Sequence, residues 1–353
     1  MSFSDFYIND ARKQHINLSQ YAWSMIENDM FLFSNSIEPL KLSPFLNRIF
    51  LNYTNANYFP CNIDKKMIEQ KEDYQKILST NCTIKEAKTL SSLMLEKNDI
   101  PALHNQIATY EKGAGKKIYL QTETYRKLIS FPSDSYIEKL FQKPGKYLKA
   151  IFEEYSRLPY IEREKIYHFS TFTLIEDAIE LHYTLYIETG DQIYEVIPYG
   201  IFPDHFHTYH YLVGLSRPQN DRKEEKHICA SFRIARIKSI KTNRGHKKTL
   251  SVAEENALLS AIKLREVPFL LDNTIEVKVR FSPSGLIQYH NLLYLRPTLI
   301  KKIDSYTYVF QATLLQIEAY FFKFGSDVEI LEPQTVRRNF KEKYRNSLAQ
   351  YQK

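Results

Sequence analysis

Residues 194–217 read YEVIPYGIFPDHFHTYHYLVGLSR, and residues 227–240 read HICASFRIARIKSI. Apolar and polar side chains alternate over both runs, which predicts short β-strands with a turn at residues 204–207. The composition is unusual for a small β-domain, because tyrosine hydroxyls and two arginines lie inside apolar strands. Such groups are costly to bury without a partner. We therefore expect either the fold or a ligand to satisfy them.

The length and composition limit the class of protein. At 353 residues the chain is too long for one compact core, which predicts about two or three domains. Its nine glycines argue against a glycine-rich phosphate loop. The three cysteines form no CxxC pair, which argues against a zinc ribbon and fits a reducing compartment. No long apolar run or signal peptide is present, so a soluble cytoplasmic protein is expected.

Positive charge is concentrated in two places. The net charge of +7 is mild, but residues 238–248 contain five lysines and arginines without an acidic residue. Residues 337–345 contain five more, interrupted only by Glu342. Clusters of this kind suit a polyanionic partner, although solvated surface cations remain the alternative.

The first half is predicted to be mainly helical. Thr83 and Glu86 have the spacing of a capping box, and residues 30–33 are expected to form a short strand before a helix at residues 45–53. After Gly113 to Gly115, a strand at residues 116–121 precedes two helices. This order is typical of a ribbon-helix-helix, in which two chains pair their strands and the ribbon enters the DNA major groove. The strand predicted at residues 30–33 and the helix at residues 45–53 hint at a second copy of this ribbon-helix-helix pattern. However, any small α/β segment can imitate the pattern.

The last third is predicted to be a small α/β domain. Ser251 and Glu254 start a linker helix with a second capping box. Strands at residues 275–281, 306–315 and 328–331 then alternate with two helices, before a basic helix that runs to Tyr351. The β-α-β-α-β order indicates a ferredoxin-like domain.

Three sequence blocks that follow one another along the chain resemble the WYL-domain family of bacterial regulators. They are VIPYG at residues 196–200, HYLVG at 210–214 and SFRIARI at 231–237. His210 stands where the family has tryptophan. Residues 319–333 are similar to the C-terminal extension of the family, so the resemblance covers roughly residues 160–350. The second half of the N-terminal region, with its strand at residues 116–121 and the run LPYIEREKI at residues 158–166, also looks similar to a subgroup with ribbon-helix-helix-like segments. Some members of that subgroup accompany and stimulate RNA-targeting type VI CRISPR effectors.

The resemblance implies an α+β chain built around an Sm-like β-barrel that senses a ligand or nucleic acid. Tyr211, Arg233 and Arg236 would line a positive groove in that barrel, together with His210 and Ser231. The expected domains are a helical N-terminal region with a first ribbon-helix-helix-like segment (1–112), a ribbon-helix-helix-like segment (113–160), the WYL barrel (161–248), a linker helix (249–265) and a C-terminal extension that mediates dimerisation (266–353).

Ten residues are candidates for binding nucleic acid or an anionic ligand. Arginine forks match phosphates, and tyrosine rings stack on bases for about 1–3 kcal/mol per base. The alternatives are arginines paired with carboxylates and tyrosines that fill a core. Arg233 and Arg236 are three residues apart, so on a regular strand only one would face the groove, and we favour Arg236. The candidates are Tyr199, Tyr209, His210, Tyr211, Ser231, Arg233, Arg236, Lys238, Lys116 and Lys117.

No catalytic residue, cofactor or metal site is predicted. The chain lacks a nucleophile-elbow GxSxG, a Walker loop and an HExxH motif. Asp204, His205, His207 and His210 suggest a metal, but no further ligand is spaced to close the site, so a polar loop is preferred. A protein that is not an enzyme is expected, with a hydrolase or nuclease as the weaker alternative.

Two functions follow as hypotheses. The first is a dimeric nucleic-acid-binding regulator that senses a nucleic-acid or nucleotide-like anion through the barrel and holds DNA with its N-terminal helices and the strand at residues 116–121. The alternative is an accessory protein that binds single-stranded RNA and stimulates an RNA-targeting type VI CRISPR effector. The choice between RNA and DNA is left open.

Overall fold

The computed structural model describes Phe3 and residues 12–34, 38–111, 113–132, 135–219, 227–271 and 274–352. The chain divides into two units, residues 1–170 and 171–353. The finer division into five domains stays a prediction. Within the described ranges, no helix combines the length and the apolar character that crossing a membrane requires.

The first unit is mainly helical and contains one two-stranded sheet. Its elements are β1 (Lys13–Asn17), α1 (Gln20–Leu32), α2 (Leu42–Asn55), α3 (Ile63–Leu78), α4 (Ile84–Met94), a π-helical turn (Leu95–Asp99), α5 (Ile100–Ala108), β2 (Gly115–Tyr119), α6 (Thr122–Ile129), α7 (Tyr136–Phe141), α8 (Pro144–Arg157) and α9 (Tyr160–Tyr167), and α10 (Phe169–Glu180) crosses the boundary between the units.

The two strands of the first unit belong to two similar segments of one chain. β1 pairs antiparallel with β2, with Lys13 opposite Tyr119 and Asn17 opposite Gly115. β1 precedes α1 and α2, and β2 precedes α6, α7 and α8. A strand followed by helices therefore occurs twice, and the ribbon forms within one chain.

The strand predicted at residues 30–33 is wrong. Met30 to Leu32 form the last turn of α1, because the apolar face of Ala22, Trp23 and Ile26 continues to Met30 at helical spacing, and all four side chains are buried. The first strand of the repeat lies earlier, at β1. Its five residues (KQHIN) carry little apolar alternation, so the sequence signal was weak.

Helix α8 forms the centre of the first unit. Tyr147, Leu148, Ile151, Phe152 and Tyr155 are at most 1% exposed. They contribute to one apolar cluster that also contains residues of α1, α2 and both strands. The cluster holds the ribbon on the helices.

The second unit contains two antiparallel sheets. Its remaining elements are β3 (Tyr183–Thr189), β4 (Gln192–Pro203), β5 (His210–Pro218), β6 (Ile228–Arg233), a 3₁₀ turn (Ile234–Arg236), β7 (Ser239–Lys247), α11 (Val252–Arg265), a 3₁₀ turn (Val267–Phe269), β8 (Thr274–Phe281), α12 (Pro283–Asn291), β9 (Thr298–Lys302), β10 (Thr307–Thr313), α13 (Leu314–Phe321), a 3₁₀ segment (Phe322–Asp327), β11 (Val328–Glu332) and α14 (Gln334–Gln350).

The central sheet has five strands in the order β6-β5-β4-β3-β7. The expected barrel is not closed, because β6 and β7 lie at opposite ends of this order and no pairing joins them in the described part of the chain. Helix α10 packs Phe172, Ile175 and Ala178 against the sheet, and Leu258 and Ala261 of α11 contribute to a separate apolar cluster with Val213 of β5. Thr189 to Gln192 form the turn between β3 and β4, where Gly190 has a φ of 60°.

The last sheet has the order β11-β8-β10-β9, with all pairs antiparallel. The chain order is β-α-β-β-α-β, which is the ferredoxin-like arrangement. The sequence missed β9, whose five residues are all exposed and therefore lack an alternating apolar pattern. Both predicted capping boxes, at Thr83 and Ser251, are present.

Candidate functional site

A cavity of about 460 Å³ lies in the second unit, beside the start of β5 and the end of β6. This volume falls within the range of about 300–1,000 Å³ that is typical of small-ligand sites. Five of the ten predicted residues line the cavity together: Tyr209, Tyr211, Ser231, Arg233 and Arg236. The structure therefore brings half of the candidate set to one place.

Both arginines line the cavity because the strand ends between them. Arg233 is the last residue of β6 and lies opposite Tyr211 of β5. The chain then turns through the 3₁₀ segment Ile234–Arg236, so Arg236 no longer follows strand alternation. The expectation that only one arginine faces the groove was made for a regular strand and does not apply to this strand end, so both arginines line the cavity.

Two tyrosines of the cavity lining, Tyr209 and Tyr211, interact with its arginines. The guanidinium of Arg233 lies over the ring of Tyr209, 3.4 Å from its centroid, which is a cation–π contact. Burial raises the pKa of Tyr211 to about 12, although the charges of Arg233 and Arg236 act to lower it. Tyr211 is therefore a neutral hydroxyl donor at physiological pH.

Two polar groups of the cavity can accept a ligand. The side chain of Ser231 is 8% exposed, and its hydroxyl has no hydrogen-bond partner among the described residues. A buried polar group left in that state costs about 1–3 kcal/mol. Arg236 is exposed and makes no ion pair with any residue in the described ranges. A ligand with hydrogen-bond acceptors and negative charge would satisfy both.

Asp204 contributes a carboxylate to the cavity. It is 4% exposed, and its Oδ1 accepts hydrogen bonds from the backbone N–H groups of Thr208 and Tyr209. These bonds fix the turn before β5. The lining contains two arginines and one carboxylate, so its net positive charge favours the binding of an anion.

The C-terminal part of the second unit contributes apolar residues to the lining of the cavity. Phe269, Leu295 and Leu315 contribute to it, with Tyr294 beside them. Sequence reasoning missed these residues, because they lie more than thirty positions after Arg236 and no local motif marks them. They provide a surface on which a planar group can pack.

Three predicted residues of the second unit lie outside the cavity lining. The hydroxyl of Tyr199 donates to Glu255 Oε1 at 3.0 Å, and its ring stacks on Phe202. The ring of His210 packs edge-on against Phe172, with centroids 4.9 Å apart. Lys238 donates to the carbonyl oxygen of Gly190 and lies 3.7 Å from a carboxylate oxygen of Asp191. These contacts give each residue a role in the fold.

The remaining two predicted residues, Lys116 and Lys117, belong to β2 in the first unit. Lys116 is paired with Glu27 of α1, and its ammonium lies 4.5 Å from the ring centroid of Trp23. Lys117 is exposed and has no ion-pair partner among the residues that the structure describes. The neighbouring lysines therefore occupy different environments.

The polar turn at residues 204–207 does not assemble a metal site in the structure. Asp204 binds backbone N–H groups, and the ring of His210 faces Phe172. In the described part of the chain, no three of the histidine, cysteine, aspartate and glutamate side chains come together with the spacing of metal ligands.

Comparison with known proteins finds a structural match over nearly the full length of the chain. A structure described as the crystal structure of a CRISPR Cas-related protein is 22% identical, with a TM-score of 0.68, and the match covers 96% of this chain and 94% of that one. The two chains share a fold. Proteasome accessory factor B/C of Arthrobacter aurescens matches at 14% identity with a TM-score of 0.29, over 68% of this chain and 37% of that chain. No family model and no curated protein matches the sequence.

Proposed function

We propose that this protein binds single-stranded nucleic acid, with a nucleotide unit held in the cavity of the second unit. The observation that supports this proposal most is that Arg233, Arg236 and Tyr211 line one cavity with an apolar side. Guanidinium groups bind phosphate oxygens bidentately, and a base can pack on the apolar and aromatic side. The hydroxyls of Ser231 and Tyr211 would then bind sugar or base atoms.

A single-stranded ligand fits this geometry better than a duplex. A cavity of about 460 Å³ can receive a splayed nucleotide but no paired base. Electrophoretic shifts with matched single- and double-stranded RNA and DNA oligomers at two salt concentrations test the proposal. We expect single strands to bind the cavity, with an affinity that falls as salt rises. An affinity independent of salt would exclude nucleic acid as the ligand.

Two biological roles are consistent with this binding. The predicted role is a regulator of the WYL type, in which an anionic nucleotide or nucleic acid in the cavity changes DNA binding. The second role is an accessory protein of an RNA-targeting type VI CRISPR effector. The fold shared with a CRISPR Cas-related protein over nearly the whole chain supports the second role.

The genes beside the coding gene and one assay separate these roles. An adjacent CRISPR array and effector gene, with faster RNA cleavage by the purified effector when this protein is added, would establish the accessory role. Specific binding to its own promoter, with no effect on the effector, would establish the regulator. We also propose that the protein itself is not an enzyme, and metal-dependent cleavage of RNA or DNA by the purified chain would contradict this.

We further propose that the protein is a homodimer that associates through the C-terminal extension, residues 266–353. Exposed apolar side chains support this proposal, including Ile287 at 67% and Leu293 at 66% exposure. Sedimentation equilibrium measures the association. A monomer at every concentration would contradict the proposal, and Ile287→Asp with Leu293→Asp should weaken the dimer while Lys263→Asp should not.

A further inference from the structure

Asp204 supplies the carboxylate of the cavity lining, and the fold uses only one of its two oxygens. Its Oδ1 accepts the backbone N–H groups of Thr208 and Tyr209 at 2.5 and 3.4 Å, and the side chain is 4% exposed. Its Oδ2 accepts no hydrogen bond from any residue that the structure describes. This oxygen is therefore available to a hydrogen-bond donor on a ligand in the cavity.

The lining offers a ligand groups of both charges. Burial raises the pKa of Tyr211 to about 12, while the charges of Arg233 and Arg236 act to lower it and that of Asp204 acts to raise it. All three charged groups thus lie close to one tyrosine hydroxyl. A nucleotide has the matching chemistry, because its phosphate accepts hydrogen bonds from guanidinium groups and its base carries N–H donors.

The ring of Tyr294 belongs to the same lining and lies near Asp204. Burial raises the pKa of Tyr294, and the charge of Asp204 raises it further. The ring packs edge-on against Phe206, with centroids 4.6 Å apart, which fixes its orientation. Stacking on an aromatic ring accepts every base. The choice between bases therefore falls to polar groups that meet the edge of the base, and Asp204 is such a group.

The carboxylate of Asp204 can distinguish bases by their donors, because an ionised carboxylate only accepts hydrogen bonds. Cytosine carries an amino group, from which aspartate and glutamate accept readily. Uracil carries carbonyl oxygens on both sides of its one ring N–H, so a carboxylate that approaches this edge meets an acceptor without a proton between them. The two bases have rings of the same size and differ mainly in these donors and acceptors.

We propose that Asp204 selects the base held in the cavity and favours bases with an exocyclic amino group, such as cytosine, over uracil. The inference rests on the proposed function, because it requires that the cavity holds a nucleotide of a single strand. Arg233 and Arg236 would bind the phosphate, and Oδ2 of Asp204 would accept a hydrogen bond from the amino group. The turn at residues 204–207 thereby gains a role in recognition.

Cytosine and uracil oligomers of equal length test this selection. Fluorescence anisotropy with labelled single-stranded oligo(C) and oligo(U) RNA of about six nucleotides, at one salt concentration and neutral pH, measures the affinity of the full chain. We expect oligo(C) to bind about tenfold more tightly, which is within the discrimination that one base-edge contact provides. Asp204→Asn should reduce this ratio at least about fivefold. The amide oxygen still accepts from Thr208 and Tyr209, while the new NH2 group donates to a uracil carbonyl.

Two further variants separate base selection from general effects of charge. Glu266 lies outside the lining, but burial and the charge of Asp204 both raise its pKa, so the two carboxylates are close. Glu266→Gln removes the same charge as Asp204→Asn and should change both affinities by one factor. Arg236→Ala should weaken both oligomers equally, because a phosphate contact carries no base information. Neither variant should change the ratio by more than about twofold.

The outcomes separate this inference from the proposed function. Equal affinities of the unmodified chain for the two oligomers, or tighter binding of oligo(U), would overturn the selection while single-strand binding stands. A ratio that Asp204→Asn leaves unchanged, or that Glu266→Gln lowers equally, would also overturn it. If neither oligomer binds, the proposed function and the selection both fail. Circular dichroism checks that each variant folds.

Discussion

Asp29 and Arg163 form the most deeply buried ion pair described in the first unit. Their side chains are 0% and 6% exposed, and two hydrogen bonds of 2.7 and 3.0 Å join them. Tyr155 of α8 donates to the same carboxylate at 2.8 Å. These contacts connect α1, α8 and α9, so one carboxylate fixes three helices around the core.

Asp29→Asn should destabilise the first unit by about 3–5 kcal/mol, because it leaves the guanidinium of Arg163 buried without its counter-charge. Urea unfolding of the full chain measures this loss. Glu69→Gln is a suitable control, since Glu69 and Lys65 form an exposed pair at 3.8 Å that is worth at most about 1 kcal/mol. Equal effects of the two substitutions would show that the buried pair does not stabilise the fold.

The stability of the protein should fall at alkaline pH. Burial raises the pKa of both Tyr58 and Tyr211 to about 12, and a hydrogen bond to Glu162 also raises that of Tyr58. In the unfolded chain a tyrosine titrates near pH 10. Each of these tyrosines therefore stabilises the fold fully below about pH 10, and this stability is lost as the pH rises through 10 towards 12.

Urea unfolding at pH 8, 9.5 and 11 measures this dependence. The free energy of unfolding should fall above pH 10, because the unfolded tyrosines release protons that the folded chain still holds. Tyr58→Phe should make the fall shallower without changing its sign. A stability that rises between pH 9.5 and 11 would contradict the assigned direction of the shifts.

At the scale of elements, the end of one strand decides the composition of the cavity. Strand alternation predicts opposite faces for Arg233 and Arg236, and the 3₁₀ turn after Arg233 overrides it. The motif SFRIARI contains neither glycine nor proline, so the sequence gives no sign that the strand ends there. Helix starts were easier to predict, because Ser or Thr followed by Glu three residues later is a local signal with its own hydrogen bonds.

Gly214 allows β4 and β5 to approach each other closely. It lies opposite Pro198, and a side-chain Cβ at this position would clash with the carbonyl oxygen of Ile197. Gly214→Ala should therefore lower the free energy of unfolding by about 1–3 kcal/mol. Gly245→Ala in β7 should change the free energy of unfolding by less than about 0.5 kcal/mol. A Cβ added at this position would lie 3.6 Å from Asn243 Oδ1, which is an ordinary contact distance. Equal stability of the two variants in urea would disprove the close approach.

At the scale of the whole molecule, local patterns predicted more of the fold than of the site. Strands β4, β5 and β6 of the central sheet, the linker helix and three of the four strands of the ferredoxin-like domain follow from periodicity and caps. The open edge of the sheet and the intrachain ribbon depend on pairings between distant strands, such as Lys13 with Tyr119, which no local pattern encodes. The same limit applies to the cavity, where the apolar side comes from residues 268–319.

The central claim is that the cavity binds single-stranded nucleic acid through its arginines. The most direct test is the affinity of a labelled single-stranded RNA, measured by fluorescence anisotropy at two salt concentrations, for the unmodified chain, Arg236→Ala and Lys301→Ala. Lys301 is an exposed cation of β9 that lies outside the cavity lining, so its loss removes the same charge elsewhere in the second unit. We predict that Arg236→Ala weakens binding about tenfold and reduces the salt slope by about 0.7, whereas Lys301→Ala changes affinity by less than about twofold. Equal affinities of the two variants would contradict the claim.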